Sequence, residues 1–361
     1  MEDVQLIEIE YLTIQDLKKE LQKSVFFEGQ HILPITKHRA LSHVNNPRAE
    51  AHDVVLLLAK KQHQICGYIG MMPDYLFHDS KKYKVAWLST WWVAPELKGQ
   101  GLGYKLMNEA FNCYNDNIFA VAVSPHSQKV YQQSGRFNFL PIAKNFNFIF
   151  KYPENPNISF FKKIALNSFN KMNKLHLNFW IKKNKIPENI DFLEVDEISD
   201  ELYDFIVENN FSNLFKWNKS ELEWVLKYPW VLSEKKKEEK YYFSSFAQNF
   251  LYKLIVIKKE SKISAFLVLR IRDNFFTIPY LFANNENSYG ILEVIVHYIK
   301  KYNALALTTN HELLLNLIKE KKLPFLKKDS FSHKSVVSKK FTHINFSEYE
   351  FQFGFGDAIF T

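Results

Sequence analysis

Cysteine is nearly absent from this chain of 361 residues, which contains only two. Cys66 falls in a predicted strand and Cys113 in a predicted helix, so they form neither a disulfide framework nor a metal motif. No run of about 18 uncharged apolar residues occurs, so we expect no integral membrane segment. The first residues lack a basic region followed by an apolar stretch, so we expect no signal peptide. Together these absences favour a protein of the reducing cytoplasm.

Familiar metal-binding patterns are also missing. The chain has 12 histidines but no HExxH sequence, and the histidine spacings in the polar segment 31–46 match no familiar zinc site. We therefore expect no metal cofactor.

Glycine is scarce as well, with ten residues, yet three of them stand at alternate positions from Gly99 to Gly103. They lie in the segment 93–103 (VAPELKGQGLG), between a predicted strand at 84–93 and a predicted helix at 104–114. Glycine allows left-handed dihedrals and lets backbone N–H groups approach a ligand. The first amides of a helix have no internal partner, and the helix dipole favours an anion there. The segment therefore predicts a turn that binds a pyrophosphate.

The glycine spacing separates the possible anion-binding motifs. A dinucleotide fingerprint needs GxGxxG, but here GxGxG is followed by Tyr104 and Lys105, and a P-loop needs GKS or GKT, which the segment lacks. The pattern V-x-P-x-x-x-G-x-G-x-G resembles motif A of the GNAT superfamily of acyl-CoA transferases, with Lys98 where Arg or Gln is usual. A tight turn that binds no ligand is the remaining alternative at this motif.

A second segment follows the same superfamily pattern. Residues 118–123 (IFAVAV) predict a buried strand, and 127–134 predict a short helix that ends at Gly135. In the GNAT pattern this helix contains a tyrosine four residues before a Gly-Phe pair. Tyr131 keeps that spacing to Gly135, while Arg136 takes the usual phenylalanine position. Two segments thus agree with the superfamily in order and distance.

The resemblance implies an α/β fold with a mixed sheet, the acyl-CoA N-acyltransferase fold. The elements before the motif fit it, because a helix with Thr13 as its N-cap is predicted at 13–24 and strands are predicted at 53–61 and 65–77. Hairpin turns are predicted around Gln62 and at 80–82.

The resemblance also implies acetyl-CoA as the co-substrate. In the superfamily two parallel strands splay apart after motif A, and the pantetheine arm lies between them. By resemblance, the backbone at Trp92 and Val93 would hydrogen-bond this arm. The pyrophosphate would be held by Lys98 and by the loop amides, which are those of Gly99, Gly101, Leu102 and Gly103.

The reaction implied by the resemblance is attack of an amine on a thioester. An amine with a pKa of about 10.4 is neutral in roughly one molecule in two thousand at pH 7, so a proton must be removed. Tyr131 matches the general acid that protonates the departing thiolate, and a tyrosine that only packs is the alternative. His126, at the mouth of the strand-to-helix connection, is the candidate base, with Glu28 or an ordered water as alternatives.

The acceptor in these folds is bound by the region between the first two helices, here 28–46. This region is rich in polar side chains, including Glu28, His38 and Arg39. Arg39 could hold a carboxylate or phosphate of the acceptor through paired hydrogen bonds, or the segment could be a solvated helix face. We expect a small-molecule amine as acceptor, with an amino sugar of surface-polysaccharide synthesis as the leading candidate.

The chain is longer than one GNAT domain of about 150 residues requires, so two domains are expected. We predict a catalytic GNAT domain at 1–152, a linker with an amphipathic helix at 153–185, and a degenerate GNAT-like domain at 186–361. The second half repeats the superfamily order of elements. However, ANNENSYG at 283–290 replaces the glycine-spaced loop, so a second working cofactor site is not expected.

The predicted linker helix, at 160–185, is both basic and aromatic. One interpretation is a helix that lies on a membrane surface. The other is a helix packed across the two domains, which the lack of a lipidation signal favours.

The net charge of +8 and the pI of 9.0 suit an anionic partner, although part of this charge is balanced where Lys235–Lys237 adjoins Glu238 and Glu239. The peptidoglycan-bridge transferases, which use aminoacyl-tRNA, share the tandem architecture and provide an alternative function. The intact phosphate loop favours coenzyme A, so no nucleic-acid partner is expected. A non-catalytic acyl-CoA-binding accessory protein, indifferent to changes at Tyr131, is a third alternative.

Overall fold

The computed structural model of the chain describes residues 7–23, 25–28, 31–142, 144–154, 157, 159–209, 214–233, 237–283 and 290–361. The strands are β1 Glu8–Thr13, β2 Val54–Lys61, β3 Gln64–His78, β4 Lys81–Val93, β5 Ile118–Val123, β6 Phe137–Phe139, β7 Asn145–Ile149, β8 Ile190–Val195, β9 Val231–Leu232, β10 Ser245–Phe246, β11 Phe250–Lys259, β12 Lys262–Arg272, β13 Phe275–Ala283, β14 Ala306–Thr309, β15 Lys327–Phe331 and β16 Lys334–Ser338. The α-helices are α1 Ile14–Glu20, α2 Val25–Glu28, α3 Lys37–Val44, α4 Leu102–Cys113, α5 Pro125–Ser134, α6 Phe160–Lys183, α7 Asp200–Glu208, α8 Lys219–Lys227, α9 Ile291–Lys301 and α10 Glu312–Glu320, and 3₁₀ helices occupy Pro95–Leu97, Lys339–Phe341, Phe346–Glu348 and Gly356–Phe360.

Two large sheets share one strand arrangement. Over the described residues, the first has seven strands in the order β1-β2-β3-β4-β5-β16-β6, and the second has seven in the order β8-β11-β12-β13-β14-β7-β15. In each sheet antiparallel hairpins lead into one parallel pair, which is β4 with β5 or β13 with β14. This repeat confirms the predicted α/β fold with two mixed sheets.

The sixth strand of each sheet comes from the other half of the chain. β7 pairs with β14 and β15, whereas β16 lies between β5 and β6. Val336 and Val337 of β16 are fully buried there. The division into 1–152, 153–185 and 186–361 stays a prediction, and neither of the two predicted domains contains every strand of its own sheet.

Because of this exchange, we expect residues 1–152 expressed alone to give little soluble, folded protein. Without β16, strands β5 and β6 lose the neighbour that pairs with both, and β7 loses its sheet. Exposed apolar strand edges promote aggregation. Soluble yield and circular dichroism of the fragment test this, with co-expressed 153–361 as the rescue. A monomeric fragment that melts cooperatively would contradict it.

Two-residue turns connect the antiparallel strands at equivalent positions in both halves. Gln62–His63 joins β2 to β3 and Asp79–Ser80 joins β3 to β4, with positive φ at all four residues. The second half has the same geometry at Glu260–Ser261 and Asp273–Asn274. Turns of this kind match the right-handed twist of paired strands. Both predicted turns in the first half are thus confirmed. The turn predicted at 80–82 begins one residue earlier, at Asp79.

Capping residues set the ends of the helices beside the first sheet. The Thr13 hydroxyl accepts from the Asp16 amide at 3.2 Å, and the Asp16 carboxylate accepts from the Thr13 amide at 3.2 Å. This reciprocal pair is a capping box at the start of α1. Gly135 ends α5 in the left-handed conformation, with φ of 67°. The sequence predictions for Thr13 and Gly135 are confirmed.

An aromatic core lies between the two sheets. The ring centroid of Trp87 on β4 is 5.0 Å from that of Phe119 on β5 and 4.8 Å from that of Phe215. Phe360 belongs to the same buried cluster. This core packs the last residues of the chain against the parallel pair of the first sheet, where the candidate site lies.

A buried ion network also joins the halves. Arg48 donates from Nη1 to Asp74 on β3, and from Nη2 to Glu221 on α8 at 2.7 Å. Trp87 donates from Nε1 to Asp74 at 2.7 Å. The buried Arg48 cation is therefore matched by two carboxylates, as expected for a charge removed from water.

Candidate active site

The site begins where the parallel strands of the first sheet diverge. Over the described residues, β4 and β5 pair at Ala86 with Ile118 and at Trp87 with Phe119 but not beyond. Just after the last pair, Ser89 is an extra residue in β4, because Gly70 and Met71 of β3 face Thr90 and Leu88. On the facing strand, Ala122 has φ of 50°, which is rare for a residue with a side chain. These irregularities open a wedge between the two strands.

A cleft of about 760 Å³ extends from this wedge to the glycine-spaced loop. Most of the predicted cofactor residues line it, namely Trp92, Val93, Lys98, Gly99, Gly101 and Gly103. Leu102 differs, since its side chain is fully buried in the core beneath the loop, and the prediction concerned its amide. The structure thus brings the predicted cofactor residues together around one cleft.

The loop presents several backbone donors without partners. Gly99 and Gly101 have φ of 80° and 89°, and Gly101 stands directly before the first residue of α4. In the described part of the chain, the amides of Gly99, Gly101, Leu102 and Gly103 donate to no acceptor. A Cβ at Gly103 would lie 3.1 Å from the Trp91 ring, so glycine permits this close packing. Open amides at a helix N-terminus form a site for a phosphate group.

Tyr131 on α5 borders the same cleft. Its ring centroid lies 5.6 Å from that of Trp91 and 4.8 Å from that of Phe137, and the side chain is almost fully buried. Burial raises the pKa of the Tyr131 hydroxyl, and the negative charge of Asp357 raises it further. The hydroxyl therefore keeps its proton at neutral pH, as a general acid must.

The other predicted catalytic and acceptor residues fall in different places. The side chains of His126 on α5 and Glu28 on α2 lie outside the described residues. The Nε2 atom of His38 lies 3.0 Å from the Trp230 carbonyl oxygen, and His38 does not line the cleft. Within the described residues, no group of three or more His, Cys, Asp or Glu could hold a metal ion.

A second cavity, of about 480 Å³, opens on the other side of the wedge. It shares five lining residues with the cleft, and these are Ser89, Thr90, Val121, Ala122 and Phe243. The two spaces therefore meet between the diverging strands. A molecule in the cleft could reach, through the wedge, a molecule in the cavity.

Two buried arginines line this second cavity. The Cζ atom of Arg39 lies 3.6 Å from the centre of the Trp230 ring, and its Nη2 is buried without a hydrogen-bond partner among the described residues. Arg270 on β12 donates from Nη1 to the Ala358 carbonyl at 2.9 Å. Within the described chain, no carboxylate oxygen lies within 4.0 Å of either guanidinium. They differ in this from Arg48, which has two carboxylate partners.

A single acidic side chain, that of Asp357, lines the cavity wall together with the arginines. Gly356 positions it, because its φ is 62° and a Cβ there would lie 2.8 Å from the Trp87 ring. Burial raises the pKa of Asp357 to about 7, although the Arg39 charge acts in the opposite direction. Asp357 is therefore able to gain or lose a proton near neutral pH.

The second half also contributes aromatic residues that sequence analysis missed. Tyr242 stacks on Trp92 with ring centroids 5.0 Å apart, and Phe243 lines both spaces. Asp357 was also missed. The available signal was the pattern FGFGD at 353–357, which places two of the ten glycines beside a carboxyl group.

The open amide loop lies in a segment that is similar to a known protein family. Residues 17–135 match the Acetyltransferase (GNAT) family model. This matched segment contains the loop, the wedge and Tyr131. Arg39 also falls within it, whereas Arg270 and Asp357 do not.

Solved structures support the fold over most of the chain. A probable N-acyltransferase from Enterococcus faecalis V583 aligns with a TM-score of 0.55 and 11% identity, covering 91% of this chain and 72% of that one. GCN5-related N-acetyltransferases from Kribbella flavida and Anabaena variabilis align with TM-scores of 0.51 and 0.52, at 14% and 9% identity. Each covers 91% of this chain, with 70% and 72% of the other chain covered. No curated protein sequence matches this chain.

Proposed function

We propose that the protein is an acyl-CoA-dependent N-acyltransferase that transfers an acetyl group from acetyl-CoA to a primary amine of a small molecule. The observation that carries this proposal is the meeting of two spaces at the wedge between β4 and β5. One space ends at an anion-binding loop and the other contains charged groups. Acetyl-CoA is abundant in the cytoplasm, where we place the reaction.

In this proposal the pyrophosphate of acetyl-CoA binds the loop amides, with Lys98 beside them. The pantetheine arm runs along Trp92 and Val93, so that the thioester reaches the wedge. Asp357 accepts a proton from the acceptor ammonium group, and the neutral amine nitrogen then attacks the thioester carbonyl carbon from the second cavity. As the carbon–sulfur bond breaks, Tyr131 donates its proton to the departing sulfur. The second nitrogen proton returns through solvent to Tyr131, and Asp357 releases its proton to solvent, so one proton is released for each amide formed.

Asp357 is our choice of base because it lines the second cavity and its charge also acts on Tyr131, which lines the cleft. The pKa of Tyr131 in the cleft is raised by burial and then by Asp357. The pKa of Tyr241 is also raised by burial, and Asp357 contributes to that shift too. The earlier candidates His126 and Glu28 remain alternatives.

The acceptor in this proposal carries an anionic group. A buried guanidinium without a carboxylate is costly, and an acceptor carboxylate or phosphate would relieve that cost at Arg270 and Arg39. An amino sugar phosphate satisfies this requirement, as does an amino acid. Asn145 and Asn310 line the same cavity, and each has a buried side-chain oxygen without a partner among the described residues.

We expect Arg270→Gln to abolish a preference for charged acceptors. Wild-type kcat/KM should be about 10- to 100-fold higher for glucosamine 6-phosphate than for glucosamine, or for β-alanine than for its amide, whichever pair reacts. The variant should lose this ratio while keeping its rate with the neutral amine. Arg272→Gln, which removes a cation from the same strand outside the cavity lining, is the control. A wild-type preference for the neutral member of each pair would contradict the anionic acceptor.

We expect Tyr131→Phe to lower kcat by about 100-fold without changing the affinity for acetyl-CoA, because the ring is kept and the proton is lost. Release of free thiol reports turnover, and thermal protection by acetyl-CoA reports binding. Full turnover in Tyr131→Phe would remove this residue from the acid role.

The proposal as a whole is tested by following thiol release from acetyl-CoA with a panel of amines. Amine-dependent release, with the acetylated amine as product, would support an N-acetyltransferase. Tight acetyl-CoA binding without turnover for any amine would instead favour the non-catalytic accessory protein.

A further inference from the structure

Helix α6 is fixed to the protein along one face. Asn173 donates from Nδ2 to the Phe150 carbonyl at 2.9 Å, and Trp180 donates from Nε1 to the Lys321 carbonyl at 2.7 Å. Leu177, between them on the helix, is buried in the core of the second sheet. Spacings of four and three residues place these side chains on one face. The orientation of the helix about its axis is therefore determined.

The opposite face carries an exposed apolar stripe, formed by Phe161, Ile164, Met172, Leu175 and Phe179. Steps of 3, 8, 3 and 4 residues align these positions along the helix. Phe161 is 83% exposed, Leu175 68% and Phe179 72%. An exposed apolar surface of this kind is typical of an interaction site.

The charges of α6 all have one sign. The helix contains six lysines and no aspartate or glutamate. At 100° per residue, Lys171 and Lys182 lie along one border of the stripe and Lys183 along the other. The stripe is therefore bordered by positive charge on both sides.

We propose that α6 binds the surface of a membrane that contains anionic lipids. The helix lies in the plane of the membrane, with its apolar stripe among the upper acyl chains and its lysines at the headgroups. None of the helices in the described part of the chain is long and apolar enough to cross a membrane, so this contact is peripheral. The helix joins the two halves, and binding there brings the active site to a lipid surface.

Charge decides between a membrane and a second copy of the chain. In a symmetric dimer through the stripe, the lysine borders of two α6 helices would approach each other, and the helix has no carboxylate to neutralise them. An anionic lipid surface attracts the same lysines. This inference does not depend on the proposed enzymatic function.

Co-sedimentation with vesicles tests the proposal. We expect binding to vesicles of phosphatidylcholine with 30% phosphatidylglycerol to be at least tenfold tighter than to pure phosphatidylcholine vesicles, and to weaken in 0.5 M salt. The double variant Phe161→Ser and Phe179→Ser should bind at least tenfold more weakly, because both rings leave the lipid. Phe275→Ser with Phe331→Ser, which removes two exposed rings elsewhere, should bind normally.

The lysines are tested separately from the stripe. Lys171→Gln with Lys182→Gln should weaken binding by about fivefold per lysine, whereas Lys18→Gln with Lys37→Gln should not. Thermal melts confirm that each variant is folded. Equal binding to both vesicle types, or binding that survives both α6 variants, would overturn the proposal. A dimer in solution that dissociates in the phenylalanine variant, without vesicle binding, would identify a second copy as the occupant.

Discussion

Replacing Asp357 with Asn is expected to lower kcat for amine acetylation by about 100- to 10,000-fold, the range typical of a positioned acid–base group. The amide has nearly the same size as the carboxyl group but cannot accept the proton that the acceptor ammonium group must lose before its nitrogen attacks. Affinity for acetyl-CoA should be unchanged, because Asp357 lines the second cavity and not the cleft. Asp329→Asn, at an exposed carboxylate that pairs with Lys327, is the control.

The pH dependence of kcat gives this prediction a second measurement. Because burial raises the pKa of Asp357 to about 7, the carboxylate predominates above pH 7 and the protonated acid below it. Only the carboxylate can act as a base, so kcat should fall as the pH drops through 7, by about tenfold per unit below it. The residual activity of Asp357→Asn should lack this decline. Wild-type activity and pH profile in Asp357→Asn would show that another group removes the proton.

Gly101→Glu is expected to weaken acetyl-CoA binding by at least about 100-fold. Gly101 has φ of 89°, where a side chain is strained, and the new carboxylate would stand beside the loop amides that we propose bind the pyrophosphate. Titration calorimetry and thermal protection by acetyl-CoA measure this effect.

Gly135→Ala separates strain from charge. It places a side chain at a comparable left-handed φ of 67°, at the end of α5 and away from the loop. We expect it to lower the melting temperature while leaving the affinity for acetyl-CoA unchanged. Wild-type affinity in Gly101→Glu would show that the pyrophosphate does not bind this loop.

The sequence predicted correctly those features whose conformation depends on residues nearby in the chain. The cap at Thr13, the strand at 118–123 and the left-handed Gly135 were each predicted from the residues around them, and each is confirmed. The glycine-spaced loop also follows this rule, because its conformation depends on glycines within five positions. These features place the cleft without any knowledge of the second half.

The acceptor side could not be predicted in this way, because it is assembled from distant residues. Arg39 was a candidate, but its cavity partners Arg270 and Asp357 come from β12 and the last 3₁₀ helix. The exchange of β7 and β16 is equally non-local. The residue pattern of each strand predicts a strand, but it does not indicate which of the two sheets the strand joins. The loop at 283–290, expected to lack a cofactor site, falls largely on residues 284–289, outside the described residues.

Helix α6 was predicted as a helix, but the favoured interpretation did not include its exposed apolar stripe. The sequence predicted an amphipathic helix here and favoured packing across the two domains. Through one face the helix contacts Phe150, which follows β7 of the second sheet, and Lys321, which follows α10, so packing across the two predicted domains stays a prediction. The opposite stripe from Phe161 to Phe179 remains exposed, because the helix carries apolar residues on both faces.

The most direct test of the account is mass spectrometry of the amine products formed from acetyl-CoA labelled with ¹³C in its acetyl group. We predict one labelled acetyl group on the nitrogen of a charged amine, with one free thiol of coenzyme A released for each product. The contrary result is that acetyl-CoA binds but that, with every amine, thiol release is no faster than in the absence of protein. That result would contradict the assignment of this chain as an N-acyltransferase.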